Sequence, residues 1–509
     1  MLGEDILYLS VRELGTRIKA RTISPVELTQ SYLERSQRLG PKLNAYATLT
    51  PELALRQAHE AEREIAARHY RGPLHGIPYA AKDLLAVKGY PTTWGARPCA
   101  GRTFDNDATV IEKLHEAGAI LIGKAAMIEL AGGLGYETGA ASLSGPSRNP
   151  WNVACWTCGS SSGSGAIVAA ALAPWAIGSD TRGSIICPSA WCGISGMRPS
   201  FGLVSRHGCM AIAWSMDQLG PMARTADDCG LVLSVMAGHD PKDLQSLPTA
   251  AFQYPDPARE PKRLRVGYLT NVWNKLDAGL EAAVREALEV LRRSGAQVSN
   301  AQMPEGPFEE AAELTILMEA ASAFQQLIHS GDCSRLLDPL GQVNGYASEE
   351  FSAGDYLQVQ RVRTILQQKV DALFESFDVL VTAGQSTAAQ PLEPAKDAAS
   401  ETPEPRESRA PDGVSSLCGL PALAVPCGFS KDRLPYSIQF TARSGDDHAA
   451  LAAARLFQSL TVASGAAAAF SFVVAARDVG FLCGFAERSF FEPAGYLPLT
   501  VQCKCYCLI

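Results

Sequence analysis

Apolar and polar positions alternate in two different textures along this chain. Over residues 8–70 the apolar residues recur at three- and four-residue spacing, in SVRELGTRIKA, in SPVELTQSYLERSQRL behind a Ser24–Pro25 start, and in an Ala/Glu/Arg-rich run from about Pro51 to His69. That recurrence predicts three amphipathic helices, the second opened by a hydroxyl cap and a proline. From Gly76 the runs shorten. IPYAAKDLLAV and ILIGKA read as buried strands, ATVIEKLHEAGA as a helix stopped by glycine, AIVAAALAPWA as an apolar helix, and AIGSD as a strand end. LRVGYLT and DVLVTA read as further strands, and 278–294 and 354–376 as amphipathic helices. The Pro/Ala/Glu/Ser-rich segment 384–412 is expected to be a long exposed loop. PALAVPCGFS and YSIQFTA then look like a closing strand pair ahead of a helix over 447–460. Alternation of this kind predicts an α/β layered domain. No internal repeat is evident.

Composition narrows the class without naming a function. Hydrophobic residues make up 47% and charged residues 19% of 509, which is ordinary for a globular protein. The net charge of −8 is spread along the chain, and no basic block with interleaved aromatics points to nucleic acid. The acidic N-terminus MLGEDILYLSVREL lacks the basic and apolar regions of a secretory signal, so a cytoplasmic protein is expected. Fourteen cysteines are scattered through apolar segments (Cys187, Cys192, Cys229, Cys427), and buried free thiols are the expectation. Cys155 and Cys158 form a CxxC. A zinc site would want a second pair and a redox site its own βαβ context, so neither is expected. The final YCLI places its cysteine one position too late for prenylation. From about Val462 the texture changes again, which sets a domain over 1–461 apart from a segment over 462–509. Residues 456–476 carry no charge, but their Ala, Ser and Gly content suits a buried or poorly specified segment better than a membrane span.

Three pieces could carry chemistry. Lys82 sits in HGIPYAAKD among Tyr79, Ala80, Ala81, Leu84 and Leu85. Such neighbours desolvate an amine, and a lysine serves as a base only if its pKa falls by about three units, roughly 4 kcal/mol of differential solvation. Asp83 is adjacent, but successive strand residues face opposite ways, so it need not pair with Lys82. The run CGSSSGSG reads as a helix N-cap cluster feeding AIVAAALA, or as a G-x-S-x-G elbow at Gly159–Gly163 that lacks a clean preceding strand. In SDTRGSI, Gly183 permits a tight turn ending at Ser184. The backbone N–H groups of Thr181, Arg182, Gly183 and Ser184 could there converge on a developing oxyanion.

Together these pieces resemble the amidase signature family. HGIPYAAKD is similar to its lysine motif, and the stretch from CGSSSGSG to GMRPSFGLVSRHG is similar to its signature block without a gap. SMDQLGPMARTADD, DYLQVQRVRTILQQ and GLPALAVPCGF fit the family pattern further on. The resemblance implies the amidase signature fold, a large twisted mixed sheet covered by helices on both faces. It implies a Ser–cis-Ser–Lys triad with Ser184 as nucleophile, Ser160 as the relay serine of a cis peptide, and Lys82 as base. Ser161 and Asp180 would support the triad, and the backbone around Ala131 would line the pocket with the oxyanion turn. The activity implied is hydrolysis of a carboxamide through an acyl-enzyme. No metal or organic cofactor is called for. The expected partners are a small-molecule amide substrate and at most a second copy of the chain, with no nucleic acid and no membrane.

Three departures from the family pattern lie near that chemistry. Arg182 stands where glycine is usual, so that it adds strain or fills the pocket if the position needs φ > 0. Ile186 and Cys187 replace a polar Arg-x-Pro entry, and Cys158 replaces the first glycine of a Gly-Gly-Ser-Ser run. Two other readings follow. One is the amidase subunit of a tRNA-dependent amidotransferase, whose glutamine-reading arginine is Ile186 here. The other is a catalytically impaired member.

Overall fold

The structure is a computed structural model, described over residues 2–136, 139, 141–248, 252–256, 258, 263–392 and 411–461. The three N-terminal helices are present as Val11–Lys19, Pro25–Leu43 and Pro51–Ala66. Ser10 and Glu13 form a reciprocal capping box on the first. Ser24 accepts the N–H groups of Val26 and Glu27 on the second, with Pro25 in the first turn, where its missing N–H costs nothing.

Eleven strands form one mixed sheet. In chain order they are β1 (Tyr46–Leu49), β2 (Pro78–Lys82), β3 (Ile120–Ala125), β4 (Trp175–Asp180), β5 (Ser195–Arg198) and β6 (Gln218–Ala223), then β7 (Arg265–Leu269), β8 (Gln297–Ala301), β9 (Val379–Ala383), β10 (Ala422–Phe429) and β11 (Pro435–Ala442). Their order across the sheet is β1-β3-β2-β4-β6-β5-β10-β11-β9-β7-β8. β2 runs parallel to both β3 and β4, with Ala81 opposite Lys124 on one side and Ile177 on the other. All residues of β2, β3 and β4 are buried, Lys82, Lys124, Ser179 and Asp180 at their carboxyl ends included, which is why the rest of each strand reads as an apolar run. The carboxyl ends of β2 and β4 lie side by side, the place where open α/β sheets put their ligands.

Three expectations need correcting here. The apolar helix is Ser162–Ala169 only. Pro174 disfavours helix at Ala173, Ala171 turns left-handed (φ 51°), and Trp175 already belongs to β4. The 384–412 segment is an exposed loop only in part: Thr387, Gln390 and Pro391 are exposed, but Trp191 donates to the Thr387 carbonyl, Pro391 bridges to Cys155, Ala389 is buried, and residues from Pro411 start a helix, Pro411–Leu417. Residues 393–410 lie outside the described residues, as does all of the 462–509 segment. Cys158 and Cys187 are not free thiols; they are disulfide-bonded to each other. Among the described residues no helix is long and apolar enough to cross a membrane.

Candidate active site

β2 delivers Lys82 to the end of the sheet with no exposed surface. Its Nζ lies 2.8 Å from Ser160 Oγ, 3.0 Å from Ser161 Oγ and 2.9 Å from Ser179 Oγ. Burial pushes the ammonium down from its ordinary 10.5 to about 7, against the opposing pull of Cys209, Asp180 and Asp217. Asp83, facing the other way, pairs instead with Lys124 of β3 at 2.9 Å. A hydroxyl accepts from an ammonium without neutralising it, so three serines solvate the amine and still leave it free to lose a proton.

A count of protons restricts the roles. A neutral amine offers two N–H donors and one lone pair to three hydroxyls. The Ser161 hydroxyl donates to the Ser179 carbonyl (3.1 Å) and accepts the Ser179 N–H (3.2 Å). Its proton is therefore committed, and it can only accept from Lys82. The hydrogen entering the lone pair must come from Ser160 or Ser179.

Ser160 follows the one non-proline cis peptide among the described residues, Gly159–Ser160. Its carbonyl accepts from Ile128 N at 3.2 Å, and a Cβ on Gly159 would lie 2.1 Å from Ile128 Cδ1. A side chain there would have to displace the Ile128 side chain. Ser161 caps the helix Ser162–Ala169 by position, yet its hydroxyl is spent on Lys82 and Ser179 rather than on the helix. The Ser161 N–H donates to the Ser184 carbonyl at 3.2 Å, so the two serine loops are in register. Among the described residues the Ser184 hydroxyl itself makes no hydrogen bond.

Asp180 shapes the turn that carries Ser184. Its carboxylate accepts Gly183 N at 2.7 Å and Ile185 N at 2.8 Å, with the Arg198 guanidinium 3.5 Å away. The Gly183 N–H is thereby committed to the Asp180 carboxylate. Gly183 alone in this turn is left-handed (φ 85°), so Arg182 needs no such conformation, and the strain considered for it does not arise. The Arg182 side chain instead forms an ion pair with Glu309 at 2.9 Å. Ala131 lies in the short turn Glu129–Gly132, itself left-handed (φ 52°), with its N–H on the Ile128 carbonyl at 2.9 Å.

Sequence reasoning missed three contributors. Ser179 is the third hydroxyl on Lys82; parallel pairing of β2 with β4 was its only signal. Asp217 accepts Thr181 Oγ1 at 2.7 Å and the N–H groups of Ile212 and Ala213, and burial raises its carboxyl to about 6. It lies in SMDQLGP, a stretch that fits the family pattern without marking the aspartate. Asp412 rests against Gly183, where an added Cβ would lie 2.6 Å from Asp412 Oδ2, and accepts from Gln385 Nε2 at 2.8 Å. Burial beside Asp180 raises it to about 7. No cluster of His, Cys, Asp and Glu able to hold a metal occurs among the described residues.

A buried lysine among serine hydroxyls, with a further serine on a tight turn nearby, brings together the residue types that serine hydrolases with an amine base use. The family model "Amidase" matches residues 27–451, and the chain belongs to the amidase signature family, hydrolases of carbon–nitrogen bonds. The chain is 35% identical over 496 residues to the A-type subunit of glutamyl-tRNA(Gln) amidotransferase from Carboxydothermus hydrogenoformans, covering 90% of this chain and 98% of that protein. Among solved structures it is similar to native peptide amidase from Stenotrophomonas maltophilia, with TM-score 0.79, 30% identity and coverage of 88% and 96%. It is also similar to the A-type subunit of the Thermotoga maritima glutamyl-tRNA(Gln) amidotransferase, with TM-score 0.71, 25% identity and coverage of 90% and 95%. These relatives overturn one expectation. A free-standing enzyme meeting only a small amide, with no nucleic acid and at most its own copy, does not match proteins named as one subunit of an enzyme whose name carries a tRNA.

Proposed function

We propose that this chain is the amide-cleaving subunit of a tRNA-dependent amidotransferase, with Lys82, Ser160 and Ser184 as its catalytic residues. The observation that carries the reading is near full-length likeness to the A-type amidotransferase subunits, joined to a desolvated lysine held by serine hydroxyls. In the cycle, neutral Lys82 takes the Ser160 proton while Ser160 takes the Ser184 proton, and Ser184 attacks the amide carbonyl. The N–H groups of the Thr181–Ser184 turn stabilise the oxyanion, with Asp180 and Asp217 fixing that turn. Reversal of the relay protonates the departing ammonia, and water then cleaves the acyl-enzyme by the same route. The test is formation of Gln-tRNA from Glu-tRNA(Gln) with glutamine as donor, in the assembled enzyme, with Ser184→Ala as control. Equal ammonia release from carboxamides with and without the other subunits, and no product on tRNA, refutes this reading.

A second reading, an amidase of linear carboxamides, is supported by Ile186. This fully buried residue stands where the resemblance places a glutamine-reading arginine. The likeness to peptide amidase supports it too. Ammonia release by the chain alone, over a panel of aliphatic and aromatic amides, distinguishes it.

A further inference from the structure

Two departures from the family pattern, Cys158 and Cys187, turn out to be one feature. Their Cα atoms are 5.8 Å apart and their sulfurs are bonded. Cys158 stands two residues before Ser160, and Cys187 three residues after Ser184. The bond therefore closes a covalent ring that contains the relay serine, the nucleophile and all of β4 with Ser179. Among the described residues the direct hydrogen bonds from 157–161 to 184–192 are Ser161 N to the Ser184 carbonyl at 3.2 Å and Cys192 Sγ to the Thr157 carbonyl at 4.0 Å. Beside them Lys82 and Ser161 tie the relay loop to Ser179, and Asn149 and Trp151 donate to the carbonyls of Trp191 and Cys192, so the bond adds a covalent tie where the relay loop meets the Ser184 loop. Cys158 also holds a left-handed backbone (φ 62°), which an L-residue adopts only when its surroundings impose it. The sulfurs lie in an apolar cluster with Trp191, Leu434 and a third cysteine, Cys155, which stays a free thiol although it completes the CxxC with Cys158.

We propose that Cys158 and Cys187 form a redox-modification site that sets the spacing between the relay and the nucleophile. The oxidised form holds the two loops together; the reduced form lets the Gly159–Ser160 loop drift from Ser184. The exchange partner is a small thiol or dithiol. A thiolate attacks one sulfur of the pair and gives a mixed disulfide, and a second thiol resolves it. The reductant loses two electrons and two protons and becomes a disulfide, while Cys158 and Cys187 become two thiols. A disulfide oxidant of the oxidised-glutathione type runs the same steps backwards. A glutathione-buffered compartment thus favours the slack form, and an oxidising one the clamped form. The consequence for reactivity rests on the proposed role of Ser184.

The experiment treats the full chain with dithiothreitol or with oxidised glutathione and maps the bond by differential alkylation and mass spectrometry. In each state it then measures amide hydrogen exchange over 157–164 and 184–189, and the rate at which a fluorophosphonate labels Ser184. Reduction should raise exchange in both segments at least about tenfold and slow labelling by roughly tenfold to a hundredfold, since a displacement of about 1 Å costs that order. Re-oxidation should restore both. A Cys158→Ser/Cys187→Ser variant should match the reduced chain and ignore dithiothreitol, whereas Cys155→Ser should respond like the parent. Exchange and labelling within twofold in the two states would overturn the proposal, as would two free thiols after oxidation or loss of the response in Cys155→Ser. Absence of labelling in both states sinks the Ser184 assignment instead, and the exchange data then decide the clamp by themselves.

Discussion

The pH at which Ser184 becomes reactive tests the whole account of Lys82. In water a lysine near 10.5 is neutral at pH 7 in about three molecules per ten thousand. Moved to about 7 by burial, it is neutral in half of them, a gain of roughly three orders of magnitude in competent base, or about 4 kcal/mol. Fluorophosphonate labelling should therefore rise with pH as a single titration, half-maximal near 7 and flat above about 8.5. Asp412 also titrates near 7 and touches Gly183, so the midpoint must be assigned. In Asp412→Asn the midpoint should stay near 7, and in Lys82→Ala the labelling should fall by at least about a thousandfold at every pH. The same shift has a sign for stability. Between about pH 7 and 10.5 the unfolded chain binds a proton at this position that the folded chain does not, so Lys82 makes the fold more stable as pH rises through that window. A labelling midpoint above 9, or one that moves with Asp412→Asn, would refute the reasoning.

Other substitutions separate the supporting roles. Ser179→Ala removes one acceptor from the ammonium form of Lys82, so the labelling midpoint should move below 7, and the plateau rate should fall by roughly tenfold. Arg182→Gly leaves the buried Glu309 carboxylate without its guanidinium and should destabilise the chain by about 3 kcal/mol in urea unfolding, while Arg182→Gly/Glu309→Gln should recover most of that. Reducing the Cys158–Cys187 bond should lower unfolding stability by about 3–4 kcal/mol, the chain-entropy value for a ring of this size.

The sheet could be read from the sequence because its inner strands are buried on both faces and bound by turn residues, so β2, β3 and β4 appear as short apolar runs. The opening helices could be read because their caps are local: Ser10 with Glu13, and Ser24 with Pro25. Where a strand pairs is not local. For that reason Ser179, brought to Lys82 by register between β2 and β4, escaped notice, and so did Asp217 and Asp412, which reach the Thr181–Ser184 turn across 36 and more residues of chain. Cys158 and Cys187 read as separate apolar thiols because nothing in the 29-residue step between them says that the chain doubles back. Lys82, Ser160 and Ser184 were reached through motif resemblance rather than periodicity. The end of the helix after Ser162 was misjudged because alanines continue through a turn as readily as through a helix.

Lys124 stands one strand away from Lys82, equally enclosed, yet it rests against the carboxylate of Asp83. Two amines of the same kind thus occupy neighbouring positions in one interior and meet opposite fates, one fastened as a strut by an anion and the other kept chemically restless among alcohols. Ser179→Asp would supply Lys82 with the counter-ion it lacks. Such an exchange of a single side chain should turn the reagent into scaffolding.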